Sequence, residues 1–247
     1  MKRDEPGLPQ TLPYHIMDGI RRRIVTGAFA PDAPIREQEL EAIFGSSRGP
    51  IREALLLLER RGLVEHMPRR GFRVRSHNAK SIQDLYALRA LLEHALVSSF
   101  EGREVQALTA TLSATLERMR HHHAARDVDA YFEENLAYHQ ALIDASDNEF
   151  LRRALDTVTE VSLPIRYLLM SRRFSEGKSL SFHESLTRLI QRGEITRAAE
   201  ESQRDVLSNI PRVVRAYTEA MVEHAAALPA SRSSTPDQAN RRPRVAS

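Results

Sequence analysis

Two arginines four residues apart, Arg48 and Arg52, stand in the run Ser46-Ser47-Arg48-Gly49-Pro50-Ile51-Arg52-Glu53-Ala54-Leu55. On a helix this spacing puts both side chains roughly on one side, flanking an apolar stripe of Ile51, Leu55 and Leu58. A guanidinium is a planar fork of donors that matches O6 and N7 of guanine, so the pair is suited to reading base edges in a major groove. Ser46, Ser47 and the first N–H groups of the helix suit phosphate oxygens, because a helix N-terminus favours anions. The plain alternative is two solvated charges, with Arg52 paired to a nearby carboxylate. A different chemistry is suggested by His121-His122-His123. Three consecutive residues point in three directions on a helix, however, and histidine is favourable near a helix C-terminus. A solvated helix end is the expectation there.

The elements around the arginines decide between the two readings. A first helix from Thr11 carries Ile16, Ile20, Ile24 and Val25 at helical spacing and ends at Gly27. Pro31 and Pro34 mark a turn. A short helix begins near Glu37, with Leu40 and Ile43 inward, and stops at Gly45. Ser46-Ser47 caps a third helix, whose first turn tolerates Pro50 and which ends at Gly62. Leu63 to Met67 and Phe72 to Arg75, joined by the basic turn Pro68-Arg69-Arg70-Gly71, form a hairpin. Three helices and a hairpin make a winged helix-turn-helix, with Arg70 and Gly71 at the wing tip able to approach a neighbouring groove.

From Ser81 to about Leu228 the pattern is helical throughout, with helices expected near 81–100, 103–125, 128–145, 148–173, 179–191 and 194–224. Ser81 and Asp84 look like an acidic capping box for the first of them, and Pro164 should kink or split the fourth. The fold class is therefore mainly α: an N-terminal winged helix-turn-helix and a C-terminal all-α bundle of six to seven helices. The expected division is a disordered segment at 1–10, the DNA-binding domain at 11–75, a linker at 76–80, an effector-binding and dimerisation domain at 81–228, and a disordered basic tail at 229–247. Arg241, Arg242 and Arg244 of that tail are expected to be solvated rather than to touch DNA.

The segment Ser47-Arg48-Gly49-Pro50-Ile51-Arg52-Glu53-Ala54-Leu55, with Leu58-Glu59, Gly62-Leu63-Val64 and Arg70-Gly71-Phe72-Arg73-Val74, closely resembles the DNA-binding domain of the GntR family of transcription regulators. The resemblance implies DNA contacts from Arg48, Arg52 and Gly71. It also implies one from the second helix, where the family often has arginine and this chain has Gln38. Leu85 to Glu93, Tyr138-His139 with Ala145-Ser146-Asp147-Asn148, His183, Gly193-Glu194 and Ala198 resemble the helical ligand-binding domain of the FadR subfamily, the FCD domain.

Many members of that subfamily hold a divalent metal (Zn, Ni, Mn or similar), and the corresponding positions here are Asn135, His139, His183 and Asp205. Two of them depart from the usual set. Asn135 offers a neutral carbonyl where a carboxylate is usual, and Asp205 is a carboxylate in place of an imidazole. Asn135 and His139 share a helix face, and imidazole suits such metals. The alternative is a pair of histidines that hydrogen-bond a ligand or Asp205 directly.

The resemblance further implies that Arg89 clamps an effector carboxylate in a pocket, with a salt bridge to Glu93 as the plain alternative and Arg166 and Arg172 as lesser candidates. The effector is expected to be a small carboxylate-type metabolite. The protein is expected to be a homodimer on a palindromic double-stranded operator, most simply a repressor, with activation as the alternative. A rival from another class is a metal-dependent hydrolase using His139, His183 and Asp205 with Glu134 as base. It leaves the winged helix unexplained.

Bulk composition is consistent with this division. Residues 1–75 hold 14 Lys/Arg against 10 Asp/Glu, whereas residues 76–228 hold 18 against 22. A basic front and an acidic middle suggest that the front alone meets a polyanion. The chain has no cysteine, which excludes disulfides, thiolate ligands and a cysteine nucleophile. No apolar run approaches a membrane span, so a cytoplasmic protein with no membrane partner is expected.

Overall fold

The computed structural model describes residues 11–227; the expectations for 1–10 and for the tail, including Arg241, Arg242 and Arg244, lie outside these residues. The N-terminal part runs α1 (Leu12–Val25), β1 (Pro34–Ile35), α2 (Glu37–Phe44), α3 (Arg48–Arg60), β2 (Val64–Met67) and β3 (Gly71–Val74). One apolar cluster joins these elements. Ile16 and Ile20 of α1, Leu40 of α2, and Ile51, Leu55 and Leu58 of α3 are all fully buried.

The expected hairpin is one strand short. β1 adds to it, giving an antiparallel sheet in the order β1-β3-β2, with Pro34 opposite Arg73 and Ile35 opposite Phe72. Pro34 is tolerated because β1 is an edge strand, where a missing N–H costs no ladder bond. Ile43 is 45% exposed rather than inward, since a helix of two turns has room for one buried row and Leu40 occupies it. At the wing tip, Arg70 N donates to Met67 O and Arg69 has φ +66°. That is the third position of the turn Met67–Arg70, which has Pro68 second, and glycine is the usual residue there.

The C-terminal part comprises α4 (Ala79–Ser98), α5 (Gln106–Ala125), α6 (Val128–Asp144), α7 (Glu149–Arg173), α8 (Lys178–Gln191) and α9 (Ile195–Ala227). The cap of α4 lies upstream of the expected one. Asn78 Oδ1 accepts from Ser81 N at 2.8 Å and Ser81 Oγ accepts from Asn78 N at 3.0 Å. Asp84 is engaged instead by Lys80 one turn away. Nor does Pro164 split its helix: α7 is continuous through it. Its neighbours Leu163 and Ile165 are each 1% exposed, so packing on both sides of the lost hydrogen bond keeps the two halves in register.

The two parts are in contact. Val25 of α1 packs with Phe132 of α6 and Leu163 of α7. Arg21 grips Glu160 of α7 through Nε at 2.7 Å and Nη2 at 3.0 Å, with Arg61 at 3.8 Å from the same carboxylate. Gly62, at φ +78°, sits where any Cβ would stand 3.0 Å from Val161 Cγ2. The glycine that ends α3 thus serves the turn and the approach of α7 at once.

Candidate DNA interface and effector cavity

The start of α3 is open to solvent. Ser47 occupies the N-cap position with φ −73° and ψ 167°, but its hydroxyl makes no cap hydrogen bond, and Ser46 Oγ turns to Ser47 O instead. The expected serine cap is therefore not made, and the first N–H groups of α3 stay available to an anion. Arg48 and Arg52 have side chains 64% and 58% exposed. Both reach α2: Arg48 Nε lies 3.3 Å from Glu41 and 3.6 Å from Glu37, and Arg52 Nη1 lies 4.0 Å from Glu37. The two arginines do share a helix side, and two carboxylates of α2, Glu37 and Glu41, hold them there.

Gln38 is exposed beside Glu37. Arg70 is exposed at the wing tip, next to Gly71 at φ +82°. Glu59 Oε1 at the end of α3 accepts from His66 N of β2 at 3.0 Å and ties the wing to α3. Because DNA must displace Glu37 from both arginines, Glu37→Gln is expected to tighten operator binding at low salt. Exposed pairs are worth roughly 0.2–1 kcal/mol, which corresponds to up to about fivefold in a fluorescence-anisotropy titration.

A cavity of about 180 Å³ opens among α4, α6, α7, α8 and α9, and Arg89, Asn135, His139, Arg166, His183 and Asp205 all line it. A chain of hydrogen bonds fixes its polar wall. Arg166 Nη2 donates to Asn135 Oδ1 at 2.8 Å. Arginine has no acceptor, so the amide must present its oxygen to Arg166 and its Nδ2 to His183 Nε2, 3.2 Å away. His183 Nε2 is then an acceptor, and its proton sits on Nδ1, facing Ser179 O at 2.5 Å. His139 Nε2, 3.3 Å from the same atom, must be the protonated nitrogen of its ring. Burial, then the nearby Arg166, holds His139 well below the usual histidine range. Burial pushes His183 down to about 4. Both rings are neutral at pH 7.

The opposite wall carries the charges. Arg89 donates through Nε to Glu93 Oε1 at 2.7 Å, both side chains being 10% exposed, and Ser202 Oγ donates to Glu93 Oε2 at 3.2 Å. Arg89 thus lines the cavity while paired to Glu93. Burial and the proximity of Glu93 raise Asp205 to about 6, and Asn209 Nδ2 donates to its Oδ2 at 3.2 Å. Arg166 is buried and, burial first and Arg89 second, is lowered to about 9. The Tyr86 hydroxyl is buried without a hydrogen-bond partner.

Three further expectations need correction or refinement. Arg172 faces away from the cavity and pairs with Glu219 and Glu223 on the surface. Glu134 does not line the cavity and pairs with Arg118 at 2.9 Å. Of the histidine run, His123 is half-buried at the cavity, with Nε2 3.2 Å from Phe174 O, while His121 is exposed.

The four residues expected to hold a metal do not form one donor set. Asn135, His139 and His183 lie together, but the amide oxygen is taken by Arg166 and the amide nitrogen caps His183. Asp205 interacts with Glu93, Arg89 and Arg212 instead. Among the described residues, no group of three or more His, Asp or Glu side chains is placed to hold a metal ion. A zinc site ordinarily uses at least three protein ligands.

A winged helix-turn-helix with exposed arginines at the start of its third helix, joined to a helical domain around a charged cavity, is the architecture of a DNA-binding regulator. Residues 14–74 match the model of bacterial regulatory proteins of the gntR family, and residues 84–208 match that of the FCD domain. The chain belongs to the GntR family of transcriptional regulators, in the group that carries an FCD domain. The HTH-type transcriptional regulator YdhC of Bacillus subtilis is 30% identical over 164 residues, 64% of this chain and 72% of that protein. The gluconate operon transcriptional repressor of the same organism is 27% identical over 176 residues, 71% of this chain and 70% of that protein. In three dimensions, a GntR transcriptional regulator from Rhodococcus sp. RHA1 superposes with a TM-score of 0.71 at 20% identity, covering 84% of this chain and all of that one. Among the described residues, no helix is long and apolar enough to cross a membrane.

Proposed function

We propose that the protein is a cytoplasmic repressor that binds a palindromic operator as a homodimer and responds to a small organic acid bound in the cavity. The observation that carries the DNA half is the exposed start of α3, with Arg48 and Arg52 held side by side above free helix N–H groups. Repressor function is supported by similarity to proteins named as repressors, the gluconate operon repressor among them. Leu88 and Leu91, 47% and 61% exposed on α4, favour a second copy as their cover. A palindrome read by one α3 per half-site then follows from twofold symmetry.

The acid would act by preferring one placement of the two heads over the other. Glu160 and Arg166 both lie on α7, six residues or about 9 Å of helix rise apart. Thus the residue facing the cavity and the residue gripping α1 move with one element. Band shifts with DNA fragments flanking the coding sequence test the first claim, and absence of sequence-selective binding would reject it. Glu160→Gln tests the second. It should leave operator binding in place but shrink the acid's effect on operator affinity, from the roughly 5–150-fold typical of such coupling towards none.

A further inference from the structure

The cavity contains a buried guanidinium that makes no ion pair of its own among the described residues. Arg166 is 8% exposed, and its one hydrogen bond among the described residues goes to a neutral amide, Asn135 Oδ1. Glu93 is engaged by Arg89 and Ser202. Asp205 is held by Asn209. The remaining Arg166 N–H groups open on the cavity that the residue lines. Glu93 is the nearest negative charge, but it is paired with Arg89; a buried guanidinium without an ion pair of its own is costly, and an anion that binds to it lowers that cost.

The same hydrogen bonds speak against a cation at this place. A metal between Asn135, His139 and His183 would need the amide oxygen and both Nε2 lone pairs. The oxygen already faces a guanidinium, and the His183 lone pair already accepts from the amide nitrogen. A divalent ion would also sit beside Arg166, with the nearest carboxylates turned to other partners. Where relatives with an Asp at this position would present a carboxylate to a metal, this chain presents an amide to an arginine.

We propose, building on the effector reading above, that Arg166 takes the place of the divalent metal: the cavity binds a small hydroxy acid directly through this guanidinium and works without a metal ion. Asn135 is then a positioning residue, orienting the Arg166 fork toward the cavity rather than touching a metal. The ligand's carboxylate lies against Arg166 as a charge-assisted pair. Its hydroxyl answers the Tyr86 hydroxyl, which is buried beside the Arg89 guanidinium and makes no well-formed hydrogen bond there. A cavity of 180 Å³ is smaller than the roughly 300–1,000 Å³ of drug-sized sites, which favours a short acid over a long acyl chain.

The test uses the full chain and four proteins: wild type, Arg166→Lys, Asn135→Asp, and Asn135→Asp combined with Arg166→Met. Malate and gluconate are titrated by calorimetry in the presence of chelator, and cobalt(II) is titrated separately by its visible absorption. Wild type should bind at least one acid in chelator and develop no cobalt bands. Arg166→Lys, which keeps the charge but loses the fork, should weaken the acid at least about tenfold. Asn135→Asp supplies an internal counter-ion 2.8 Å from the guanidinium. It should melt higher than wild type and lose the acid. The double variant, with an aspartate beside two histidines and no arginine, should gain cobalt affinity by about 10–100-fold.

Acid binding that appears only with cobalt, cobalt bands in wild type at micromolar metal, or an Asn135→Asp protein that binds acid as wild type does would each overturn the proposal. If neither acid binds with or without cobalt, the effector reading falls with it. Sequence-selective DNA binding is measured independently and is unaffected by that outcome.

Discussion

Alanine at both Arg48 and Arg52 is expected to abolish sequence-selective operator binding without unfolding the head. Each guanidinium that forks onto a guanine edge contributes roughly 1–3 kcal/mol of discrimination. Losing the pair should therefore weaken the cognate site by about thirtyfold to ten-thousandfold. The fold should not suffer, because both side chains are more than half exposed and the core of the head is made by Ile51, Leu55 and Leu58 on the other face. Lysine at either position should fail to rescue, since an ammonium is a point charge without the planar fork. Salt dependence separates base reading from backbone contact. Removing a phosphate-neutralising charge lowers the slope of log affinity against log salt by about 0.9 per contact, while removing base readers changes it little. An Arg48→Ala, Arg52→Ala protein that still prefers the operator over random DNA would show that α3 does not read the groove.

The largest stability effect is expected inside the cavity wall, at Glu93. This carboxylate is 7% exposed, accepts from Arg89 and Ser202, and is the main negative charge facing Arg89 and Arg166. Glu93→Ala leaves two buried guanidinium groups facing one another, and breaking a buried pair from one side costs about 3–5 kcal/mol. A chain of this length loses about 2–4 °C of melting temperature per kcal/mol, so a drop of roughly 6–20 °C should be seen by circular dichroism. Arg89→Met together with Glu93→Leu should recover most of that loss, because the pair is then removed whole and its volume refilled. A Glu93→Ala melt within a degree or two of wild type would mean that water reaches the pair and screens it.

Much of this is legible in the sequence, and the exceptions share a cause. The start and stop of α3, its buried row and the pairing of β2 with β3 are local. Each depends on residues within a turn or a hairpin, so caps, glycines and spacing are enough to show them. β1 was missed because two residues carry no period, and its partner Arg73 lies 39 positions after Pro34. Ile43 has the right spacing for burial but no second layer to be buried against.

Family likeness was enough to bring His139, His183 and Arg89 to one cavity. It did not show that Asn135 spends its oxygen on Arg166, because that contact crosses 31 residues between two helices. Nor did it show that Asp205 would turn to Asn209 one helical turn along its own helix. Side-chain identity at aligned positions indicates where a residue stands; the partner it takes depends on neighbours that only folding brings near.

α9 begins in the bundle and passes the cavity at Asp205, Asn209 and Arg212. Further along it meets the segment joining the two lobes, where His77 N donates to the Tyr217 hydroxyl at 3.0 Å. Asp205 and Tyr217 are twelve residues apart, about 18 Å of helix, and Pro211 lies between them with no N–H to give the preceding turn. Mechanically this is a strut with one compliant joint, set between the cavity and the segment that joins the two lobes. A ligand that displaced Asn209 or Arg212 would bend such a strut at Pro211 rather than stretch it, and the bend would reach His77 as a sideways pull. The direction in which the heads swing would then depend on which flank of α9 the ligand presses. One scaffold could in this way release DNA in answer to one occupant and hold it in answer to another.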